Sequence, residues 1–140
     1  MSYAETEEQQ MLRKQVGEIG RKYGREYYTA KAREGLSPDE LWDEMAKQGF
    51  IGVNTPEEYG GGGLGIYELA IVCEELAAAG CPLLLLLVSP AICATVIAKF
   101  GTDAQKERWL PRLASGESKM AFAITEPNAG SNTHRLETSA

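Results

Sequence analysis

The sequence predicts a mainly α-helical domain, a helical bundle, with a strand just beginning at its C-terminal end. Three observations predict it. Apolar residues recur at helical spacing over most of the chain before Ser115, Ser37 and Thr102 each open a capping box, and Gly35, Gly49 and Gly80 stand where helices would stop. With 140 residues, 44% hydrophobic and 24% charged, the chain has the balance of one ordinary globular core.

The elements follow in order. Leu12, Val16, Ile19, Tyr23 and Tyr27 share one helical face while Glu18, Arg21, Lys22 and Arg25 take others, so the first third reads as one long amphipathic helix ended by Gly35. Ser37-Pro38-Asp39-Glu40 supplies an N-cap, a proline at the first helical position and a capping-box glutamate. The helix it opens buries Leu41, Trp42 and Met45 and is capped by Gly49. Phe50 to Pro56 fits a strand or an extended connection and is read as a loop. A third helix runs from Ile66 to Ala79, with Leu69, Ala70, Cys73, Leu76 and Ala77 on one face, and Gly80 closes it. Leu83 to Lys99 is apolar all round, as a central helix with neighbours on every side would be. Thr102-Asp103-Ala104-Gln105 starts a helix through Trp109 and Leu110 into Pro111, and Ser115-Gly116-Glu117 is a turn. Met120 to Thr125 is short, apolar and strand-like, with the turn formers Pro127, Asn128 and Gly130 behind it. Residues 1–118 are thus expected to be a helical domain, with a strand just beginning within 119–140. A lone strand has no sheet to join, so the end of the chain is expected to be poorly ordered by itself.

Several function classes drop out. A net charge of -6 without a basic stripe excludes a nucleic-acid surface. The N-terminus, MSYAETEEQQ, lacks the basic and apolar regions of a secretory signal, which points to a cytoplasmic protein. Leu76 to Ala98 carries no charge and is long enough to span a bilayer, but Gly80-Cys81-Pro82 and Ser89-Pro90 interrupt it, so no membrane span is expected. Cys73, Cys81 and Cys93 form no CxxC pair and read as core thiols in a reducing compartment. His134 is the single histidine and cannot build a multi-histidine metal site; it reads as a surface or cap residue. Gly60 to Gly65 matches G-x-G-x-x-G, but Pro56, Glu57 and Glu58 stand where that fingerprint needs a buried strand, and no acid follows about 20 residues on. It reads as a tight connection between helices. Glu74 and Glu75 point about 100° apart on a helix and read as solvated rather than as a converging acid/base pair.

Phe122 to Ser131 remains. It offers a strand end with free amides, a threonine hydroxyl and a small-residue turn, which suit an anionic planar cofactor; composition alone also fits a hydroxyl-rich turn. The segment MAFAITEPNAGSN, Met120 to Asn132, closely resembles the acyl-CoA dehydrogenase signature, whose core runs from a small residue through T-E-P and a small residue to G-S, here Ala123 to Ser131. Tyr59-Gly60-Gly61 before a helix, Phe100-Gly101-Thr102 with Gln105-Lys106, and Trp109-Leu110-Pro111 with Gly116-Glu117 follow in the family's order, so the resemblance covers nearly all of the chain after about residue 37.

The resemblance implies an N-terminal α-helical domain, here residues 1–118, followed by a middle β-domain, of which 119–140 are the start, and a C-terminal four-helix domain, with FAD held between the latter two. It implies that main chain and hydroxyl around Ile124 and Thr125 hydrogen-bond the flavin, that Phe122 packs beside it, and that Gly130 and Ser131 lie near the FAD pyrophosphate, with Ser131 also near the acyl-CoA. The implied reaction takes a proton from Cα and a hydride from Cβ of an acyl-CoA thioester, giving the 2-enoyl-CoA. The family's catalytic base is a glutamate of the C-terminal domain, so no residue of this chain is assigned that role. An electron-transfer flavoprotein as acceptor and a homo-oligomer are further family expectations. Two residues depart from the family's usual pattern: Asn132 stands in place of an aspartate and Arg135 in place of a small residue. Leu83 to Val88 and Ile92 to Ile97 are expected in the core and are also available to line the acyl-chain pocket. The alternative function is a standalone, non-catalytic helical binding or assembly module derived from the same family.

Overall fold

The computed structural model describes residues 4–139. Among them are six α-helices: α1 (Glu7–Arg33), α2 (Asp39–Lys47), α3 (Ile66–Ala78), α4 (Leu84–Leu86), α5 (Thr95–Phe100) and α6 (Asp103–Ala114). A π-helical stretch, Leu87–Ala94, joins α4 to α5 without a break.

Helix α1 starts at a capping box, Thr6 with Gln9, and buries Leu12 and Val16 against α3, as its spacing predicts. It is not one uninterrupted helix. Gly24 adopts φ 70°, which glycine reaches without a Cβ clash, and the helix is kinked there. On both sides of the kink α1 makes polar contacts with α2: Tyr23 Oη and Lys22 Nζ before it reach Glu44, while Tyr27 Oη and Lys31 Nζ beyond it both donate to the Glu40 carboxylate at 2.6 Å. Those bonds explain a missed cap. Ser37 makes no capping bond and Pro38 stands at the N-cap of α2, because Glu40, the expected box partner, is held by α1 instead. Leu41, Trp42 and Met45 are buried as expected, and Gly49 ends the helix with φ 79°.

On α3 the buried stripe is Leu69, Ile71, Val72 and Leu76; Ala70 and Ala77, expected inside, are exposed. Leu83 to Lys99 also differs from expectation. Pro90 does not stop the helix; with no N–H to donate there, the run takes the wider π pattern and continues. Nor is it enclosed: Leu84 is 69% and Leu87 46% exposed, although Leu86, Cys93 and Ala94 are buried. Helix α6 opens at the predicted Thr102 box and passes through Pro111, where it was expected to stop, to reach Ala114. No helix of the described residues is long and apolar enough to cross a membrane. The main core joins α1, α2, α3 and Ile51, Val53 and Leu86; a smaller one, Ala94, Leu110 and Leu113, sits between the π-helix, α5 and α6.

Candidate functional site

The chain leaves the helical domain after α6 through three tethers. Trp42 Nε1 donates to the Gly116 carbonyl at 3.0 Å in a buried contact. Lys119 pairs with Asp39 at 2.9 Å and lies over the Trp42 ring. The Met120 amide donates to the hydroxyl of Ser89 at 3.1 Å, and Ser89 is only 1% exposed. Met120 packs against the smaller core and helps line an open, mainly apolar groove of about 300 Å³ with Val96, Ile97, Phe100, Gln105 and Trp109.

Past Met120 the predicted strand does not form. No strand occurs among the described residues, and none of the main-chain groups of residues 121–125 has a hydrogen-bond partner among them. A strand needs a neighbour to complete its ladder, and none lies alongside. Phe122 is 43% and Ile124 38% exposed, and Thr125, Gly130 and Ser131 are exposed as well. Order returns at Glu126, whose amide and carbonyl exchange bonds of 3.0 and 3.1 Å with those of Ala129 around Pro127 and Asn128. The Glu126 carboxylate accepts from the Glu137 and Thr138 amides, both at 2.9 Å. The Thr138 hydroxyl and then these two amides hold its pKa below the ordinary carboxylate value. Asn132, the departure from aspartate, accepts from the His134 amide at 3.3 Å, so its amide oxygen serves as the cap of the turn Thr133–Arg135. Ser89 and Glu126 were not singled out from the sequence; a hydroxyl inside an otherwise apolar helix was the available signal for the first.

The other candidates resolve as structure. In the glycine run, the amides of Gly61, Gly62, Gly63 and Leu64 donate to the carbonyls of Pro56, Gly52, Thr55 and Val53, which leaves none of them to cradle a phosphate. Glu74 and Glu75 are not simply solvated: both reach Arg13 Nη1, at 2.9 and 2.6 Å, with Glu5 on the same guanidinium. Their hydrogen bonds, Glu5's foremost, raise the Arg13 pKa, so the cluster is an ionic tie between α1 and α3 in which one guanidinium serves three carboxylates. The three cysteines are free, and burial pushes all three thiol pKa values up. Among the described residues no group of His, Cys, Asp or Glu could hold a metal ion.

What remains chemically competent is an extended edge with unpaired amides and carbonyls, flanked by two exposed apolar side chains and a hydroxyl. These features fit a planar group that hydrogen-bonds along its edge. At Gly130 an added Cβ would meet nothing within 4 Å, so the turn is open to close approach.

Comparison with known proteins identifies the helical domain. The profile of the acyl-CoA dehydrogenase N-terminal domain matches residues 6–117. The acyl-CoA dehydrogenase FadE12 of Mycobacterium tuberculosis is 61% identical over 139 residues, covering 99% of this chain and 36% of the relative. Acryloyl-CoA reductase (NADH) of Anaerotignum propionicum is 36% identical, covering 100% of this chain and 36% of its own length. Among solved structures, a glutaryl-CoA dehydrogenase in complex with glutaryl-CoA superposes with a TM-score of 0.86 at 33% identity, covering 97% of this chain and 35% of that one. Butyryl-CoA dehydrogenase of Megasphaera elsdenii gives 0.82 at 34%, over 95% and 36%. A structure described as the electron transferring flavoprotein of Acidaminococcus fermentans gives 0.84 at 33%, over 96% and 36%. The chain thus spans about a third of the length of these relatives.

Proposed function

This chain belongs to the acyl-CoA dehydrogenase family and has the fold of its N-terminal helical domain, and from that premise we propose that it forms the leading part of an FAD-dependent acyl-CoA dehydrogenase. One observation carries the reading: residues 121–125 present an unpaired main-chain edge beside Phe122, Ile124 and Thr125. In this proposal the Ile124 main chain and the Thr125 hydroxyl hydrogen-bond the flavin, and Phe122 packs beside it. Gly130 and Ser131 face the pyrophosphate, with Ser131 also on the acyl-CoA. The bound FAD supplies the hydride acceptor for oxidation of the acyl Cα–Cβ bond to the 2-enoyl-CoA. This chain's share is to fix the cofactor's place and tune it by hydrogen bonds. It provides no catalytic base, which belongs to the rest of the polypeptide. The groove of Val96, Ile97, Phe100 and Met120 is an apolar surface available to an acyl chain. An electron-transferring flavoprotein is the proposed acceptor.

The test is the complete polypeptide that carries this chain. It is expected to purify yellow and to lose its oxidised-flavin absorbance when acyl-CoA is added without oxygen. A colourless polypeptide, inert to acyl-CoA, would overturn the proposal. Co-purification of this chain with a separate flavin-bearing subunit would favour the assembly-module alternative.

A further inference from the structure

We propose that Glu126 is a positioning residue: it closes the loop from 126 to 138 and so holds the Gly130 and Ser131 amides where ligand phosphates meet them. The inference rests on the function proposed above and extends it to a residue outside the flavin-contacting set.

The geometry is a double grip. Through its main chain Glu126 closes the turn to Ala129, and through its side chain it takes the amides of Glu137 and Thr138, one on each carboxylate oxygen. One residue therefore ties together the departing and the returning ends of the loop. Between them Gly130 and Ser131 are exposed, and neither amide has a partner among the described residues. Ala129 is 2% exposed while its neighbours are open, so the loop is folded onto itself rather than splayed. Asn132 adds a local turn on the far side. Charge adds a second argument. A carboxylate free to swing beside a phosphate site would repel the ligand, whereas here its oxygens are occupied by main-chain N–H groups of the same loop. The acid is spent on shape, and the amides at the tip stay available to an anion.

Glutamine cannot replace it. Its side chain has one acceptor oxygen, and its NH₂ would face an amide N–H, so one of the two bonds fails. Glu126 contacts none of the α-helices through the bonds above, so Glu126→Gln and Glu126→Ala are expected to keep the helical circular dichroism and its melting midpoint. In the complete polypeptide, apoprotein titrated with FAD and followed by flavin fluorescence should show both variants weakened by about tenfold or more, the scale of one lost hydrogen bond to a charged group. The acyl-CoA KM should rise by a similar factor while kcat at saturating FAD and substrate changes little. In this chain labelled with ¹⁵N, the Glu137 and Thr138 amide protons should lie downfield and move upfield in both variants. If the wild type takes up FAD and the variants bind it equally well, the role of Glu126 is overturned and the proposed function stands. If the wild type takes up none, both fall. A loss of affinity matched by a fall in melting midpoint would reduce Glu126 to a stability residue and would also overturn the inference.

Discussion

The substitution Gly61→Ala separates two meanings of the glycine run. A Cβ at Gly61 would lie 2.1 Å from the Thr55 carbonyl oxygen and 2.5 Å from its carbon. Those are main-chain atoms of a packed loop and cannot rotate aside, so the two strands of backbone must separate. Three bonds span them: Gly62 N to Gly52 O at 2.9 Å, Gly63 N to Thr55 O at 2.9 Å and Leu64 N to Val53 O at 3.0 Å. Each is worth about 1 kcal/mol net. With overpacking strain of about 1–3 kcal/mol, loss of all three brings the whole cost to about 4–6 kcal/mol, and less where a bond survives. Gly65→Ala is the control. Gly65 is extended, its nearest clash is the movable Glu68 carboxylate at 3.2 Å, and the change should cost about 1 kcal/mol or less, mostly at the helix cap. Urea unfolding followed by far-ultraviolet circular dichroism measures both. If Gly61→Ala falls within about 1 kcal/mol of the wild type, or if Gly65→Ala costs as much, close backbone approach is not what these glycines provide.

Three further outcomes are expected. Lys31 and Tyr27 hold the Glu40 pKa at about 2, so the stability this carboxylate contributes is present above its ordinary value and is lost as pH falls from about 4.5 toward 2. Burial and the bond to Glu40 push Tyr27 up to about 12, so its contribution is present below about 10 and is lost as pH rises toward 12. Unfolding free energy measured against pH should therefore flatten on the alkaline side in Tyr27→Phe and on the acid side in Glu40→Gln; unchanged slopes would contradict the α1–α2 contact. Ser89→Ala should cost about 1–3 kcal/mol by leaving the Met120 amide without its acceptor; equal stability to the wild type would mean that this tether carries nothing. With a thiol reagent, half-buried Cys73 should react first, and Cys81 and Cys93 only as fast as the chain opens; three equal, fast rates would contradict their burial.

The sequence disclosed whatever local chemistry decides. The stops at Gly35, Gly49 and Gly80, the Thr102 box and the inner faces of α1 and α2 follow from residues within a turn or two of each other. It was silent wherever a distant residue intervened. Ser37 looked like a cap because Glu40 stood at the right spacing, yet Tyr27 and Lys31 took that carboxylate from another helix. Glu74 and Glu75 diverge on the helix they share, yet Arg13, some sixty positions away in the chain, has the reach to meet both. The candidate site followed the same rule. Its motif was visible, but a strand is a relation between two segments, and periodicity in one of them could not supply the other.

The helical domain contributes location rather than reactive groups to the proposed site. Its hold on the segment ends at Met120, fixed by Trp42 and Asp39 from α2 and Ser89 from the π-helix. Two packed elements thus set the position and direction in which residues 121–125 emerge. The π-helix has a part in this. Pro90 removes one donor from the helix, and the wider turn that accommodates it also carries the buried hydroxyl that receives the Met120 amide. A change that restored regular α geometry there would move Ser89 relative to Met120 without touching the segment itself. The segment's unpaired edge is held at its two ends: the start by α2 and the π-helix, the end by Glu126. Between those points the exposed main chain makes no hydrogen bond to the described residues and is open to solvent. That open edge is what a bound cofactor and an adjoining sheet would engage, which is why the edge, rather than any titratable cluster, carries the proposed site.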